Sequence, residues 1–453
     1  MKHILLKVLL LVAFVQIAHA QPALRFSITD GKTSDTVLSA NSTQKELAGN
    51  GVKVAQQLTD GNPQKWTTTI TNVGGEERWL YLNWFATWDG SSNLDQLHYW
   101  SGTGNVHNGD ELLNAPSSTV AQNTSMLQTI YDAQNGLALA LDPFEIVSDL
   151  RQSLVKTDSG FELHLQIPLV LDAGKSDTFP VDIYRFAPRY GFLDALQKYY
   201  NAHPDAFSAR QNIDPRAAGV GSTYTAWKSN SFELTRRFSG DWDWCYAPFK
   251  RTGDIYGRPQ FWDYEPARPF PEWLAKMTPE EFRKDRQNKL KLGAAAGAAM
   301  MFFTPSYTYS EIELAKKQYP GAIIYRPDGK YASYYGRPWV THHDNEVMVY
   351  PWGNEFAKQS LQDTEDIVKE NPIAGFAFDV MSNEQSFRGT GMKESPRRAF
   401  NKDGEYVDLS VGVAKMMDFA RGLKKGRKGT RHRRKSHRKI AGVLSGACRQ
   451  CYF

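Results

Sequence analysis

In the stretch IAGFAFDV, Asp379 directly follows Phe376, Ala377 and Phe378. An acid at the end of an apolar strand is costly to bury unless it sits at the strand's mouth with partners. That placement suits a carboxylate that acts on a bound substrate; an Asp that caps a turn is the structural alternative. Glu384 lies five residues on, where it either assists Asp379 or is simply solvated.

A second group mixes aromatic rings with acids. DWDWCYAPF supplies Asp241, Trp242, Asp243 and Trp244, and FWDYEP supplies Trp262, Asp263 and Glu265. Sugars present apolar C–H faces and a hydroxyl rim, so rings take the faces and carboxylates take the hydroxyls. No Gly-rich phosphate loop is present, which turns the reading from nucleotide toward carbohydrate. The structural alternative is that some of these Trp close the bottom of a long loop. Trp227, Tyr307, Tyr309, Tyr350 and Trp352 stand at or beyond the ends of apolar runs. THHDN holds His342, His343 and Asp344. Adjacent strand residues point to opposite faces, so two neighbouring His do not chelate one ion from a strand. His343 and Asp344 therefore read as hydrogen-bonding groups for a substrate or as a surface turn. No metal and no other cofactor is expected.

These residues need elements to position them. Residues 21–190 read as β. WTTTITNV and WLYLNWFATW flank Gly74-Gly75-Glu76-Glu77 as a hairpin, and FELHLQIPLVL and DTFPVDIYRF flank Asp172-Ala173-Gly174-Lys175 as another. Short strands at this spacing predict a β-sandwich. GFLDALQKYYNAHPDAF is predicted helical, with Leu193, Leu196, Tyr199 and Tyr200 on one side, and 191–216 forms a connector.

From 217 to 421 the rhythm changes to strand, loop, helix. GVGSTYTAW, AGAAMMFFTPS, NEVMVYPW and IAGFAFDV are the predicted strands. A loop of about 50 residues after the first carries the Trp/Asp group. TPEEFRKDRQNKLKLG is a helix with Thr278 as N-cap and Glu281 closing a capping box. SEIELAKKQYP is capped by Ser310 and DLSVGVAKMMDFARGLKK by Asp408, with FAKQSLQDTEDIVKEN between them. Four β-then-α units in series predict a (β/α) barrel, which needs eight. The fold class is thus multidomain β plus α/β: an N-terminal β-sandwich followed by an incomplete (β/α)8 TIM barrel.

Charge divides the chain at the same place. Residues 421–453 hold 12 of the 54 Lys/Arg and no Asp or Glu, leaving 42 basic against 49 acidic residues in 1–420. The body is acidic, so long-range attraction to nucleic acid is not a property of the folded part. GRKGTRHRRKSHRK falls where a fifth strand is due, and it has no apolar run to bury. Codons exist for 426–438 that, read one nucleotide later, spell AGKVPAIAANLTA, which is strand-like. Two readings follow: loss of frame near Gly426, or a basic tail that binds a polyanion. Cys448 and Cys451 lie in the same segment and only Cys245 in the body, which excludes a disulfide framework there. At the other end, MKHILLKVLLLVAFVQIAHA has a basic n-region, an apolar core and Ala18-His19-Ala20. It predicts a signal peptide cleaved after Ala20 and a secreted or periplasmic protein, with no further membrane segment.

With its sandwich, helical connector and an Asp ending the fourth barrel strand, the chain resembles the retaining α-glycosidases of glycoside hydrolase family 31 and the related α-galactosidase clan. GFAFDVMSNEQSF is similar to the family 31 nucleophile segment, here with Val380, Met381 and Ser382 between the Asp and Asn383-Glu384. The α-galactosidase pattern has Lys two residues before the Asp, where this chain has Ala377. The resemblance covers about 21–421. It implies that Asp379 attacks the anomeric carbon and that a second carboxylate, from a later strand, protonates the leaving group. It further implies a carbohydrate substrate and, with the later strands missing, a chain of little or no activity. A non-catalytic carbohydrate-binding protein is the alternative, and a polyanion binder the third reading.

Overall fold

The computed structural model describes residues 22–102, 105–114, 118–119, 125–145, 147, 150–207, 214–219, 221–222, 240–245, 256, 277–305, 309–326, 329–332, 346–379, 402–404, 407 and 409–423. They are mostly β-strands, with few helices.

The N-terminal part is a sandwich of two antiparallel sheets. Its strands are β1 (Leu24–Asp30), β2 (Thr36–Asn41), β3 (Glu46–Gly49), β4 (Val52–Thr59), β5 (Gln64–Asn72), β6 (Arg78–Thr87) and β7 (His98–Trp100). They continue with β8 (Val106–Asn108), β9 (Ser118–Thr119), β10 (Leu127–Tyr131), β11 (Gly136–Leu141), β12 (Arg151–Thr157), β13 (Gly160–Leu171) and β14 (Ser176–Phe186). One sheet has six strands in the order β2-β1-β6-β13-β12-β9, and the other eight in the order β3-β4-β5-β14-β11-β10-β7-β8. Period-two alternation sets the layers: along β13, Phe161, Leu163, Leu165 and Ile167 join the core while Glu162, His164 and Gln166 take the outer face. The buried indoles keep partners, as they must. Trp66 Nε1 donates to Gln56 Oε1 at 2.9 Å and Trp84 Nε1 to Thr68 Oγ1 at 3.1 Å.

Both expected hairpins are corners instead. β5 and β6 lie in different sheets, as do β13 and β14, so each short link carries the chain across the sandwich. The reason is physical: two one-faced apolar strands can bury their faces against each other across a core as well as pair edge to edge. Asn72 ties the two corners together. Its Nδ2 donates to Glu76 O at 2.7 Å and Leu171 O at 2.9 Å, and its Oδ1 accepts from Gly74 N at 3.0 Å.

The predicted helix of 191–207 is broken into α1 (Phe192–Ala202) and α2 (Pro204–Phe207), because Pro204 has no N–H to continue the first. The face that packs on the sandwich carries Ala195 and Tyr199, whereas Leu193 and Tyr200 are exposed, contrary to the expected side. Burial of polar groups here is fully partnered. His203 Nε2 meets Asp182 Oδ2 at 2.6 Å, Tyr184 OH donates to the same oxygen at 2.8 Å, and Tyr199 OH donates to Leu141 O at 2.9 Å.

On the outer face of the six-stranded sheet, His164 stacks on Phe85 with centroids 4.4 Å apart. Its Nδ1 lies 3.1 Å from Ser153 Oγ and its Nε2 3.0 Å from Asn83 Oδ1. The Arg25 guanidinium sits 3.4 Å from the Phe85 centroid and pairs with Glu162 at 2.6 Å.

The C-terminal part has a parallel sheet: β15 (Gly221–Ser222), β16 (Trp242–Cys245), β17 (Ala299–Pro305) and, after the inserted strands β18 (Tyr309–Glu311) and β19 (Glu346–Met348), β20 (Gly375–Asp379). The sheet order is β15-β16-β17-β20. Helices α3 (Pro279–Ala295), α4 (Ile312–Gln318), α5 (Glu355–Glu370) and α6 (Leu409–Gly422) follow the pattern foreseen. Thr278 and Glu281 form the capping box, with Thr278 Oγ1 accepting from Glu281 N at 3.2 Å and Glu281 Oε2 from Thr278 N at 2.8 Å. The cap of α4 is Glu311 rather than Ser310, its Oε2 accepting from Leu314 N at 2.7 Å. Asp408 lies outside the described residues.

Two strand assignments change. DWDWC, expected in a loop, is the second strand of the parallel sheet. NEVMVYPW, expected as a parallel strand, pairs antiparallel with β18 in a separate two-stranded sheet. Short apolar runs do not distinguish these settings. The described residues show a four-stranded parallel sheet and not a barrel.

Candidate active site

β17 is apolar on both faces because both are covered, as in a parallel sheet with helices on one side. Met300 and Phe302 pack toward the helices with Leu290, Phe376 and Met416. Ala299 and Met301 pack on the opposite face with Trp242, Trp244 and Ala377. β20 follows the same alternation. Phe376 meets Phe302 at 6.0 Å on the helix side, and Asp379 holds the same strand parity as Ala377. Asp379 is the last residue of the strand, and its Cα partner is Pro305, the last residue of β17. The carboxyl ends of both strands thus form one edge, and the loops that leave this edge are where a parallel α/β sheet builds its sites.

The loop after β17 is elaborate. β18 starts four residues past Pro305, α4 follows, and β19 closes the small sheet before α5 returns to β20. Within it, Tyr325 bridges Tyr331 across a turn, and their rings lie 5.4 Å apart. YRPDGKY carries a Pro-Asp-Gly turn signal between two tyrosines, and that signal could have found this hairpin. Tyr350 and Trp352 lie just before α5, where Asn354 Nδ2 donates to Tyr350 O at 2.6 Å. The Tyr350 ring packs on the first turn of α6: a Cβ at Gly412 would come within 2.8 Å of its Cε2.

The Trp/Asp group does not sit at the Asp379 edge. Trp242 pairs with Ala299, six residues before Pro305, which places it about 20 Å back along the sheet at about 3.3 Å per residue. Trp244 pairs with Met301, about 13 Å back on the same basis. Asp243 is fully buried, with Oδ1 accepting from Trp244 N at 2.8 Å. Asp241 precedes β16 at its amino end, where its carbonyl accepts from Ala299 N at 2.9 Å. These residues build the floor of the sheet, because a strand with two Trp on one face fills a core. Trp227, Trp262, Asp263, Glu265, His342, His343, Asp344 and Glu384 lie outside the described residues, as does Tyr307.

The helix side holds a buried charge. Arg286 is fully buried, with its guanidinium 4.0 Å from the Phe302 centroid and Nη2 donating to Cys245 O at 3.4 Å. Burial pushes the Cys245 thiol up, against the nearby Arg286 and Lys289. Tyr256 is pushed up to about 12, by burial first and then by its hydrogen bond to Glu370, which it makes at 2.6 Å. Asn371 Nδ2 and Gln287 Nε2 donate to the same hydroxyl at 2.8 and 3.0 Å. No helix among the described residues is long and apolar enough to cross a membrane.

No protein-family model matches the chain, and no curated protein matches it. Similar solved structures include a GH36 alpha-galactosidase from Geobacillus stearothermophilus in complex with stachyose, at 11% identity over 94% of this chain and 61% of that one, with a TM-score of 0.47. A galactose mutarotase-like protein from Lactobacillus casei is 8% identical over 31% of this chain and 71% of that one, with a TM-score of 0.20. Another from Clostridium acetobutylicum is 12% identical over 32% and 65%, with a TM-score of 0.19. The chain spans 61% of the length of the alpha-galactosidase.

Proposed function

We propose that this chain is a carbohydrate-active enzyme of the glycoside hydrolase kind, exported by its first 20 residues, in which Asp379 is the nucleophile of a retaining reaction. The observation that carries the reading is the position of Asp379 at the carboxyl end of an apolar parallel strand, beside a neighbour whose own loop is expanded. In that chemistry the carboxylate oxygen attacks the anomeric carbon, the glycosidic C–O bond breaks, and the leaving oxygen takes a proton from a second carboxylic acid. Water then displaces the Asp379 ester with net retention, that second group now accepting the water's proton. No residue of 1–423 is assigned as the second carboxylate.

We place the parallel sheet as the first part of a (β/α)8 barrel and the chain from near Gly426 as out of frame, because GRKGTRHRRKSHRK, where the next strand is due, offers no apolar run to extend the sheet. Little turnover of ordinary glycosides is expected from the 453-residue chain, and substantial turnover from it would refute that placement. Asp379→Ala in an in-frame version separates the two leading readings. Loss of turnover is expected for the enzyme. Retained sugar binding with no turnover in either form is the outcome for a binding protein.

A further inference from the structure

Asn41-Ser42-Thr43 is the triplet that N-linked glycosylation reads: Asn, any residue but Pro, then Ser or Thr. It closes β2, the outermost strand of the six-stranded sheet, and Asn41 is the last residue of that strand. Asn41 and Thr43 are both exposed. Asn41 Oδ1 accepts from Thr43 N at 3.1 Å and from Thr43 Oγ1 at 2.6 Å. A backbone N–H only donates, so the atom it meets is the oxygen of the carboxamide. Nδ2 is the end left without a hydrogen bond among the described residues. The turn is held from below. Gln56 Nε2 donates to Asn41 O at 3.3 Å and to Gln44 O at 3.0 Å, while Gln56 Oε1 accepts from the buried Trp66 at 2.9 Å. The backbone bond alone would make such a turn; the hydroxyl at 43 is not needed for it.

We infer that Asn41 is an acceptor for an N-linked oligosaccharide. This rests on the export read from residues 1–20 and not on the glycosidase reaction. An amide nitrogen is a poor nucleophile because its lone pair is shared with the carbonyl. Two bonds donated to Oδ1 stabilise negative charge there and so ease removal of a proton from Nδ2. Nδ2 then attacks the anomeric carbon of an oligosaccharide carried on a lipid pyrophosphate. A C–N bond forms, the anomeric C–O bond breaks, the amide proton goes to a base of the transferase, and lipid pyrophosphate leaves. Both bonds join residues two apart, so the turn can form before the sheet does. Asn123-Thr124-Ser125 fits the same triplet, but Ser125 is buried and its Oγ accepts from Leu127 N at 3.2 Å. A glycan on Asn41 stands at the outer edge of the sheet and obstructs pairing of that edge with another chain.

The test is cell-free translation of the 453-residue chain with microsomal membranes, followed by protease digestion and gel analysis before and after an N-glycosidase. The wild type is expected to be protected from the protease and to carry a mass step that the N-glycosidase removes. Asn41→Gln and Thr43→Val should each lose one such step, and Thr43→Ser, which keeps the hydroxyl, should retain it. A protected chain in which Asn41→Gln migrates like the wild type overturns the acceptor and leaves export standing. A chain that stays unprotected overturns export and the acceptor with it.

Discussion

His164 gives the sandwich a pH dependence whose sign and size can be worked out. Burial lowers its pKa from 6.5 to about 4, the Arg25 charge pushes the same way, Glu162 opposes, and Arg151 adds a smaller push down. The folded protein therefore keeps this ring neutral over a range in which the unfolded chain protonates it. Stability rises with pH wherever the unfolded state binds more protons. The contribution is complete above pH 6.5 and is lost as pH falls toward 4. At pH 5 the unfolded ring is almost fully charged and the folded one almost fully neutral, a loss of about 2 kcal/mol relative to pH 7. His164→Gln removes the titration while keeping an amide that can donate and accept beside Asn83 and Ser153. Urea denaturation at pH 7 and pH 5 should show the wild type losing about 2 kcal/mol more than the variant over that interval. Parallel losses in the two proteins, or a His164 NMR titration centred near 6.5, would mean that burial does not hold this ring neutral in the folded state.

Two further perturbations probe separate parts of the fold. Asp182→Ala leaves the buried His203 and Tyr184 without their shared acceptor, and should cost about 2–4 kcal/mol, read as a lower urea midpoint; a cost under about 0.5 kcal/mol would mean the network is not formed. Thr278→Ala opens the capping box of α3 and should cost about 1 kcal/mol, which a Thr278→Ser control should largely restore.

The β-class of the first part was legible because its strands alternate, and alternation survives any choice of partner. What alternation does not contain is the partner itself. Gly74-Gly75-Glu76-Glu77 and Asp172-Ala173-Gly174-Lys175 look like hairpin turns, yet they join strands of different sheets. Asn72, which satisfies backbone groups of both corners, is the residue that a sequence reader would need to weigh, and a single polar residue at a strand end gives no sign of it. The helices of the second part were legible from their caps, with Thr278 and Glu281 as the clearest case. Its strands were less so. WDWC is short and holds an Asp, so it reads as loop, but the buried position of Asp243 between two Trp makes it the sheet's interior. NEVMVYPW carries an apolar run and reads as a barrel strand, but its Glu346–Met348 pairs antiparallel with Tyr309–Glu311. The end of the fourth strand at Asp379 was legible because an acid after Phe-Ala-Phe has few places to go other than an edge.

Covalent capture distinguishes a nucleophilic Asp379 from one that only binds substrate. A dinitrophenyl 2-deoxy-2-fluoro glycoside has a leaving group that needs no proton, so Asp379 should displace dinitrophenolate at the anomeric carbon and become glycosylated without help from a second carboxylic acid. Intact-mass spectrometry of the 453-residue protein should show the mass of one fluoroglycosyl group. Peptide mapping should place it on Asp379, and Asp379→Asn should abolish it. A label on another residue, or equal labelling of the variant, would mean that Asp379 is not the nucleophile.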